Sequence, residues 1–163
     1  MEIERKWLIT KETFNMLKDK CISYEHLQQG YLSVVPEVRI VKRLGIAGDR
    51  KGICRYNVTF KSTGGLCRTE IEKRLNKSEF KDLAKIGNIT YNDFIRKAYI
   101  RYKYGDHIIE ASCVDDGVFY YAEIEFATKE DAESFYPPEF LTQEVTSNSY
   151  WKMKNYWERK IKL

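Results

Sequence analysis

The sequence predicts a mainly β protein of the α+β class, in which antiparallel strands form either a one-sided sheet or a closed barrel with a few accessory helices. Two observations predict this fold class. Apolar and polar residues alternate along most of the chain, which is the period of a half-buried strand. Short turns such as Gly64-Gly65 and Gly105-Asp106 join several of these segments, as expected for antiparallel neighbours.

Eight segments show the alternation of strands, and four carry helical signals. The predicted strands are residues 2–9, 27–34, 37–44, 53–62, 66–74, 94–104, 107–114 and 118–127. Thr10 predicts an N-cap before a helix at 11–19, and Asn76 with Glu79 predicts a capping box before a helix at 77–86. A helix that begins at Thr128 must end before Pro137-Pro138, and helical spacing predicts a basic helix at about 148–162.

Length and composition predict one domain spanning residues 1–163 and a cytoplasmic location. The 28 basic and 24 acidic residues interleave along the chain, unlike the clustered basic residues of a simple nucleic-acid binder. No apolar stretch is long enough to span a bilayer, and the N-terminus lacks the apolar core of a signal peptide. The four cysteines are widely spaced without a CxxC pair, so we expect reduced thiols and no zinc site.

One face of the predicted strands is charged and the other is apolar. By the two-residue period, the charged face carries Glu2, Glu4, Lys6, Arg39, Arg43, Arg55, Lys61, Arg68, Glu70, Glu72, Lys97, Arg101, Glu110, Glu123 and Glu125. A one-sided sheet would place this face in water, where cross-strand ion pairs contribute about 0–1 kcal/mol each. A closed barrel would place it in a polar lumen and leave no exposed sheet edges.

Three tight carboxylate pairs favour the barrel. Glutamates recur two residues apart at Glu2 and Glu4, at Glu70 and Glu72, and at Glu123 and Glu125. Like charges at this spacing repel each other unless a cation neutralises them. A lumen that holds these carboxylates together with the basic residues would bind a metal–phosphate complex, because carboxylates coordinate hard divalent ions and Arg and Lys bind phosphate oxygens.

At these residues the chain resembles the CYTH domain of the triphosphate tunnel metalloenzymes, a family of inorganic triphosphatases, thiamine triphosphatases and class IV adenylate cyclases. The family signature E-x-E-x-K matches Glu2, Glu4 and Lys6. The resemblance then covers nearly the whole chain in order, through Gln29-Gly30-Tyr31-Leu32, Val38-Arg39-Ile40, Thr59-Phe60-Lys61-Ser62, Gly64-Gly65-Leu66, Arg68-Thr69-Glu70-Ile71-Glu72, Arg96-Lys97, Ala122-Glu123-Ile124-Glu125-Phe126, Pro137-Pro138 and Glu144-Val145-Thr146.

The resemblance implies an eight-stranded antiparallel closed β-barrel, or tunnel, with a charged lumen. It assigns phosphate binding to Lys6, Arg39, Lys61, Arg68 and Lys97. It assigns the metal ion, Mg²⁺ or Mn²⁺, to Glu2, Glu4, Glu70, Glu72, Glu123, Glu125 and Glu144. Lys6 and Tyr31 match a catalytic Lys–Tyr pair that is implicated in activating the attacking water in bacterial members of the family.

Three positions depart from the family pattern. Val41 replaces the second Arg of an R-x-R motif, Tyr99 replaces the Arg of K-x-R, and Ser112 replaces the Asp of E-x-D. Arg43 and Arg101 each lie two residues further along the same strand face, about 7 Å away, and are predicted to bind substrate in place of the missing cations. These departures predict an altered substrate preference or weaker catalysis.

The expected function is metal-dependent hydrolysis of a linear triphosphate, with inorganic tripolyphosphate as the first choice. One alternative is a class IV-type adenylate cyclase, in which the ribose hydroxyl replaces water as nucleophile. The other is a triphosphate- or polyphosphate-binding module with weak or no catalysis. The expected partner is a small triphosphate-containing molecule, with no nucleic acid and no membrane, and a homodimer remains open. In the C-terminal helix, Lys152 and Lys154 are positioned to reach the tunnel entrance.

Overall fold

A computed structural model describes residues 1–162 as ten β-strands and four α-helices. The strands are β1 (Glu2–Ile9), β2 (Ser23–Val34), β3 (Glu37–Gly48), β4 (Cys54–Lys61), β5 (Cys67–Arg68), β6 (Glu70–Leu75), β7 (Ile95–Tyr104), β8 (His107–Val114), β9 (Phe119–Glu125) and β10 (Gln143–Glu144). The helices are α1 (Lys11–Asp19), α2 (Lys77–Ile86), α3 (Lys129–Ser134) and α4 (Met153–Ile161). All the predicted segments are present, and only the short β10 was not predicted from alternation.

The sheet curls into a barrel that closes at a short seam. Neighbouring strands follow the order β10-β1-β9-β8-β7-β2-β3-β4-β6, and all pairs are antiparallel. β5 precedes β6 by one residue, Thr69, and pairs with β1, with Glu2 opposite Arg68 and Ile3 opposite Cys67. β5 and β6 together occupy one strand position of the barrel. Eight strand positions therefore surround the lumen, and β10 lies beside β1. The predicted eight-stranded barrel is confirmed, and the open one-sided sheet is excluded.

Local capping fixes where three of the helices begin. Thr10 Oγ1 accepts a hydrogen bond from the Thr13 amide at 3.1 Å at the start of α1. Asn76 and Glu79 form both bonds of the predicted capping box at α2. Thr128 caps α3, which ends at Ser134, before the proline pair. Helix starts were therefore predictable from short-range sequence alone.

The apolar core lies outside the barrel, between its outer wall and the helices. One buried cluster under α1 and α3 contains Ile3, Trp7, Phe14, Leu17, Ile100, Ile109, Ile124, Ala132 and Leu141. Phe80 of α2 belongs to a second cluster that also contains Ile40 and Val58 of the neighbouring wall. Because the outward residues of each strand are buried in these clusters, the alternating charged residues must face the lumen.

Helix α4 lies across one end of the barrel. Its buried residues Met153 and Trp157 share an apolar cluster with the inward-facing Tyr31, Val114 and Tyr121. The ring centroids of Trp157 and Tyr31 are 5.7 Å apart. The lumen is therefore closed by apolar packing at this end.

Two sequence expectations concern residues away from the lumen. No helix within residues 1–162 has the length and apolar character needed to cross a membrane. The four cysteines, all within the described part of the chain, are free thiols.

Candidate active site

The barrel brings ten of the predicted site residues together around one cavity. These residues are Glu2, Glu4, Lys6, Arg39, Arg43, Lys61, Arg68, Lys97, Glu123 and Glu125. They come from β1, β3, β4, β5, β7 and β9, and the alternation of each strand turns them inward. The site therefore depends on closure of the barrel, because residues up to about 120 positions apart in the chain face the same space.

Arg68 is the centre of the charge network at the β1–β5 seam. Its Nε lies 2.9 Å from Glu2 Oε2, and its Nη2 lies 2.9 Å from Glu4 Oε1. Its Nη1 reaches Glu37 Oε2 at 3.4 Å. A planar guanidinium can engage several carboxylates at once, so Arg68 holds three carboxylates in a fixed arrangement.

Lys61 joins two further carboxylate contacts to this network. Its Nζ lies 2.7 Å from Glu2 Oε1 and 2.9 Å from Glu70 Oε2. The Lys61 side chain is only 3% exposed, so its charge is balanced by these carboxylates rather than by water. Together, Arg68 and Lys61 face four carboxylates. Arg39 lies near three of these, Glu37, Glu70 and Glu2, so the excess of negative charge at this end of the cavity is small.

The crowding of carboxylates changes their ionisation. Burial, together with the negative charges of Glu123 and Glu2, raises the pKa of Glu4 to about 7. Burial and the charges of Glu2 and Glu70 raise the pKa of Glu125. A divalent cation would relieve this repulsion, and carboxylate oxygens are the ligands that Mg²⁺ and Mn²⁺ prefer. The donor set therefore fits a hard divalent metal ion.

The carboxylates are not yet gathered around one point. Within residues 1–162, no group of three or more Asp, Glu, His or Cys side chains is positioned to hold a metal ion. Each carboxylate of the seam instead contacts Lys61 or Arg68. A metal ion with a phosphate chain would replace these pairings, since the metal would take the carboxylates and the phosphates would take the cations.

Two lysines meet around Tyr121 in the middle of the cavity. Lys6 Nζ lies 3.2 Å from Glu123 Oε1 and 3.8 Å from the centroid of the Tyr121 ring. Lys97 Nζ lies 2.6 Å from Tyr121 Oη. Burial, reinforced by the nearby cations Arg39 and Lys6, lowers the pKa of Lys97 well below its usual range. Lys97 therefore holds its proton weakly.

Arg39 is a cation without a committed carboxylate. Among residues 1–162 it makes no ion pair within 4.0 Å, and its buried Nε has no hydrogen-bond acceptor. Tyr31, Glu37, Glu70 and Glu2 lie near enough to favour its charged form, but its Nε still lacks an acceptor. Its position on the cavity wall makes a phosphate oxygen the natural acceptor.

The three departures from the family pattern have different surroundings. Val41 is buried, and Tyr99 lines the cavity next to Glu110. Ser112 is hydrogen-bonded to Tyr121. Of the two substitutes predicted for the missing cations, Arg43 lines the cavity and lies 5.1 Å from the Tyr99 ring centroid.

The other predicted substitute, Arg101, is held at the rim and does not line the cavity. Its Nη2 lies 2.7 Å from Asp49 Oδ2, and its Nε donates to Ser23 Oγ at 2.8 Å. The parity argument placed Arg101 on the correct face of β7. It could not show that a carboxylate on the β3–β4 turn would engage this side chain.

Four more predicted residues also lie off the cavity lining. Tyr31 faces inward but sits toward α4, where its Oη accepts a hydrogen bond from Gln29 Nε2 at 2.7 Å. Glu70 contacts the cavity only through Lys61, and Glu72 is exposed and hydrogen-bonded to Asn57 at 2.6 Å. Glu144 lies beside β1 on the outer face, where Arg5 binds it through two bonds of 2.8 Å.

Several cavity residues were not assigned a role from the sequence. Glu37, Tyr99, Glu110 and Tyr121 share the parity of assigned neighbours, so the two-residue period could have found them. Gln29 and Leu27 also line the cavity. Lys152 and Lys154 line it from the segment around the start of α4, as their expected position near the entrance predicts.

One known protein is similar enough to this chain to show its family. The inorganic triphosphatase of Nitrosomonas europaea is 30% identical to this chain over 160 residues, which cover 94% of each protein. The chain belongs to the triphosphate tunnel metalloenzyme family. No protein-family model matches it.

Solved structures of other proteins have the same fold. The crystal structure of an inorganic triphosphatase matches with a TM-score of 0.59 at 24% identity, over 96% of this chain and 93% of that one. A proposed adenylate cyclase from Bacillus halodurans matches with a TM-score of 0.54 at 18% identity, over 82% of this chain and 84% of that one. At these identities the likeness concerns the fold alone.

Proposed function

We propose that this protein hydrolyses linear triphosphates, with inorganic tripolyphosphate as its substrate, in a reaction that needs a divalent metal ion. The observation that carries the proposal is the interleaving of cations and carboxylates around one cavity inside a closed barrel. The activity named for the Nitrosomonas europaea relative agrees with it. A triphosphate with its metal is the kind of ligand that uses both charges of this lumen.

Phosphate oxygens are bound by the cations of the wall, namely Lys6, Arg39, Lys61, Arg68, Lys97 and Arg43. Arg39 is available at once, because it has no carboxylate partner within residues 1–162. Lys61 and Arg68 would be free to bind phosphate oxygens if the carboxylates they now contact held a metal ion. These cations stabilise the charge that develops on the transferred phosphoryl group.

The metal ion would be held by carboxylates of β1, β6 and β9, which we assign as Glu2, Glu4, Glu70, Glu123 and Glu125. Mg²⁺ or Mn²⁺ would neutralise phosphate charge and act as a Lewis acid on the phosphoryl oxygens. Glu72 and Glu144 are hydrogen-bonded to residues outside the cavity, so we do not assign them to the metal ion.

The attacking water is positioned by the two lysines that meet around Tyr121 in the middle of the cavity. Lys6 is assigned this role, with Lys97 beside it. A weakly held proton suits Lys97 for proton exchange with the water or the leaving oxygen. Tyr31 accepts a hydrogen bond from Gln29, which lines the cavity, whereas Tyr121 contacts both lysines directly.

The test is phosphate release from tripolyphosphate, ATP and thiamine triphosphate, with Mg²⁺, with Mn²⁺ and with a chelator. Metal-dependent release from tripolyphosphate is the expected result. Cyclic AMP and pyrophosphate from ATP would favour the cyclase instead, and tight binding without turnover would favour a binding module. Glu2→Gln should lose activity, while Glu12→Gln on the exposed side of α1 removes the same charge and serves as the matched control.

A further inference from the structure

A second cluster of charge lies at the end of the barrel opposite α4. Glu25 on β2 is fully buried, and three arginines converge on it: Arg43 of β3, Arg50 of the β3–β4 turn and Arg55 of β4. Helix α4 contacts the other end of β2, where Lys154 donates to the Val34 carbonyl. Glu25 and Val34 are nine positions apart on β2, which separates the two ends by roughly 30 Å along the strand.

The cluster has more positive charge than its carboxylates can balance. Arg43 and Arg55 are direct cross-strand partners, an arrangement that is unfavourable for like charges. Arg55 Nη2 bonds directly to Glu25 Oε2. Besides Glu25, Glu110 lies near Arg43 and Asp49 lies near Arg50, and Asp49 also pairs with Arg101. Four arginines thus meet three carboxylates, and a further anion would balance the cluster.

Two of the three arginines are not committed to Glu25 by hydrogen bonds. Arg50 Nη1 lies 3.5 Å and Arg43 Nη1 lies 3.9 Å from Glu25 Oε1, which has no hydrogen-bond donor. The buried Nε of Arg55 has no acceptor. Donors are therefore available here for an anion with several oxygens, such as a phosphate group.

Arg43 connects this cluster to the active-site cavity. It lines the cavity and also faces Glu25, whereas Arg50 is 35% exposed at the rim. Arg39 and Arg43 are four residues apart on β3, so their Cα atoms are separated by roughly 13 Å. A phosphate chain bound at Arg39 can thus continue along β3 to Arg43 and Arg50.

We propose that Arg43, Arg50 and Arg55, held in place by Glu25, form a subsite for the end of linear polyphosphates longer than tripolyphosphate. The proposal rests on the proposed function and extends its substrate class to chains of four or more phosphates. Arg50 engages the outermost phosphate, since it is the most exposed of the three.

The test compares the Kd of tripolyphosphate and tetrapolyphosphate by isothermal titration calorimetry at fixed ionic strength with a chelator present. The wild type should bind tetrapolyphosphate about tenfold more tightly, the effect of one additional charge-assisted contact. Arg50→Gln should bring the ratio of the two Kd values close to one. Lys51→Gln removes the same charge from an exposed neighbour in the same turn and should keep the wild-type ratio.

Two results would overturn the subsite: equal Kd values for both polyphosphates in the wild type, or equal loss of the ratio in Arg50→Gln and Lys51→Gln. The second result would mean that the general field of the turn, and not a contact, favours the longer chain. Failure of the proposed function has a different outcome. It would appear as absent hydrolysis of tripolyphosphate with metal, whatever the ratio of the Kd values.

Discussion

The two ends of the charged lumen balance their charges in opposite ways. At the β1–β5 seam, Arg68 and Lys61 face four carboxylates. At the far end, the buried Glu25 faces three arginines, and arginines outnumber carboxylates when Arg101, Asp49 and Glu110 are included. The seam therefore favours an added cation and the far end favours an added anion. A metal–polyphosphate complex has this same polarity when its metal is bound near one end, so the barrel fixes the direction in which such a ligand lies.

The largest expected effect comes from removing the fully buried carboxylate of the arginine end. Glu25→Gln leaves three cations without the buried anion that they face, so we expect the free energy of unfolding to fall by about 3–5 kcal/mol. Sulfate should restore part of this loss by supplying an anion. Chemical denaturation in chloride and in sulfate buffers measures both effects. A sulfate gain equal to that of the wild type would mean that the cluster binds no anion, since sulfate also stabilises proteins in general.

Removing the central cation of the seam should mainly impair catalysis. Arg68→Ala loses the contacts to Glu2 and Glu4 and the phosphate contact proposed for Arg68, so kcat/KM for tripolyphosphate should fall about 10²–10³-fold. The matched control is Arg5→Ala. Arg5 also bonds a carboxylate and is 13% exposed against 12% for Arg68, but it faces outward. Equal losses of kcat/KM in both variants would contradict the inward site.

The crowding of seam carboxylates predicts a pH-dependent stability. Because burial and its neighbours raise the pKa of Glu4 to about 7 from 4.5, the folded state binds this proton more tightly than the unfolded chain. Stability contributed by this group is therefore lost as pH rises from 4.5 through about 7. Thermal unfolding of the wild type and Glu4→Gln with a chelator should show the wild-type Tm falling relative to the variant across this range. If the Tm values of the wild type and of Glu4→Gln changed in parallel with pH, the crowding of carboxylates around Glu4 would be contradicted.

The smallest effect is expected outside the lumen. Glu144→Gln breaks an ion pair in which the carboxylate is 38% exposed, so the free energy of unfolding should change by about 0–1 kcal/mol. Mn²⁺ affinity, measured by calorimetric titration, should match the wild type. A loss of Mn²⁺ affinity comparable to that of Glu2→Gln would bring Glu144 into the metal set.

Patterns among residues a few positions apart were sufficient to predict much of the fold. Strand alternation, the caps at Thr10 and Asn76, and the proline stop after α3 each depend on residues a few positions apart. Parity placed Arg43 on the inner face, and the same period applied to Tyr121 and Glu37 could have placed them there too. The short β10 has two residues and no alternation long enough to detect.

Side-chain partners were decided by the tertiary structure. Arg101 shares the face of Lys97, yet Asp49 from a distant turn holds it at the rim. Glu144 follows a family motif, yet the register that sets it opposite Trp7 turns it outward to Arg5. Parity along one strand carries no information about such contacts, because they depend on how strands stagger around the barrel.

The sequence by itself determined which side chains face the lumen and that both signs of charge would meet there. The reason is that the two-residue period of a strand is a local property. Only the tertiary structure decided the distribution of charge between the two ends. Arg68 meets Glu2 because the barrel closes at one seam. Arg55 meets Glu25 because Arg55 lies opposite Arg43, which in turn lies opposite Leu27, two residues from Glu25 on β2. The direction of the site is therefore a consequence of closure and stagger.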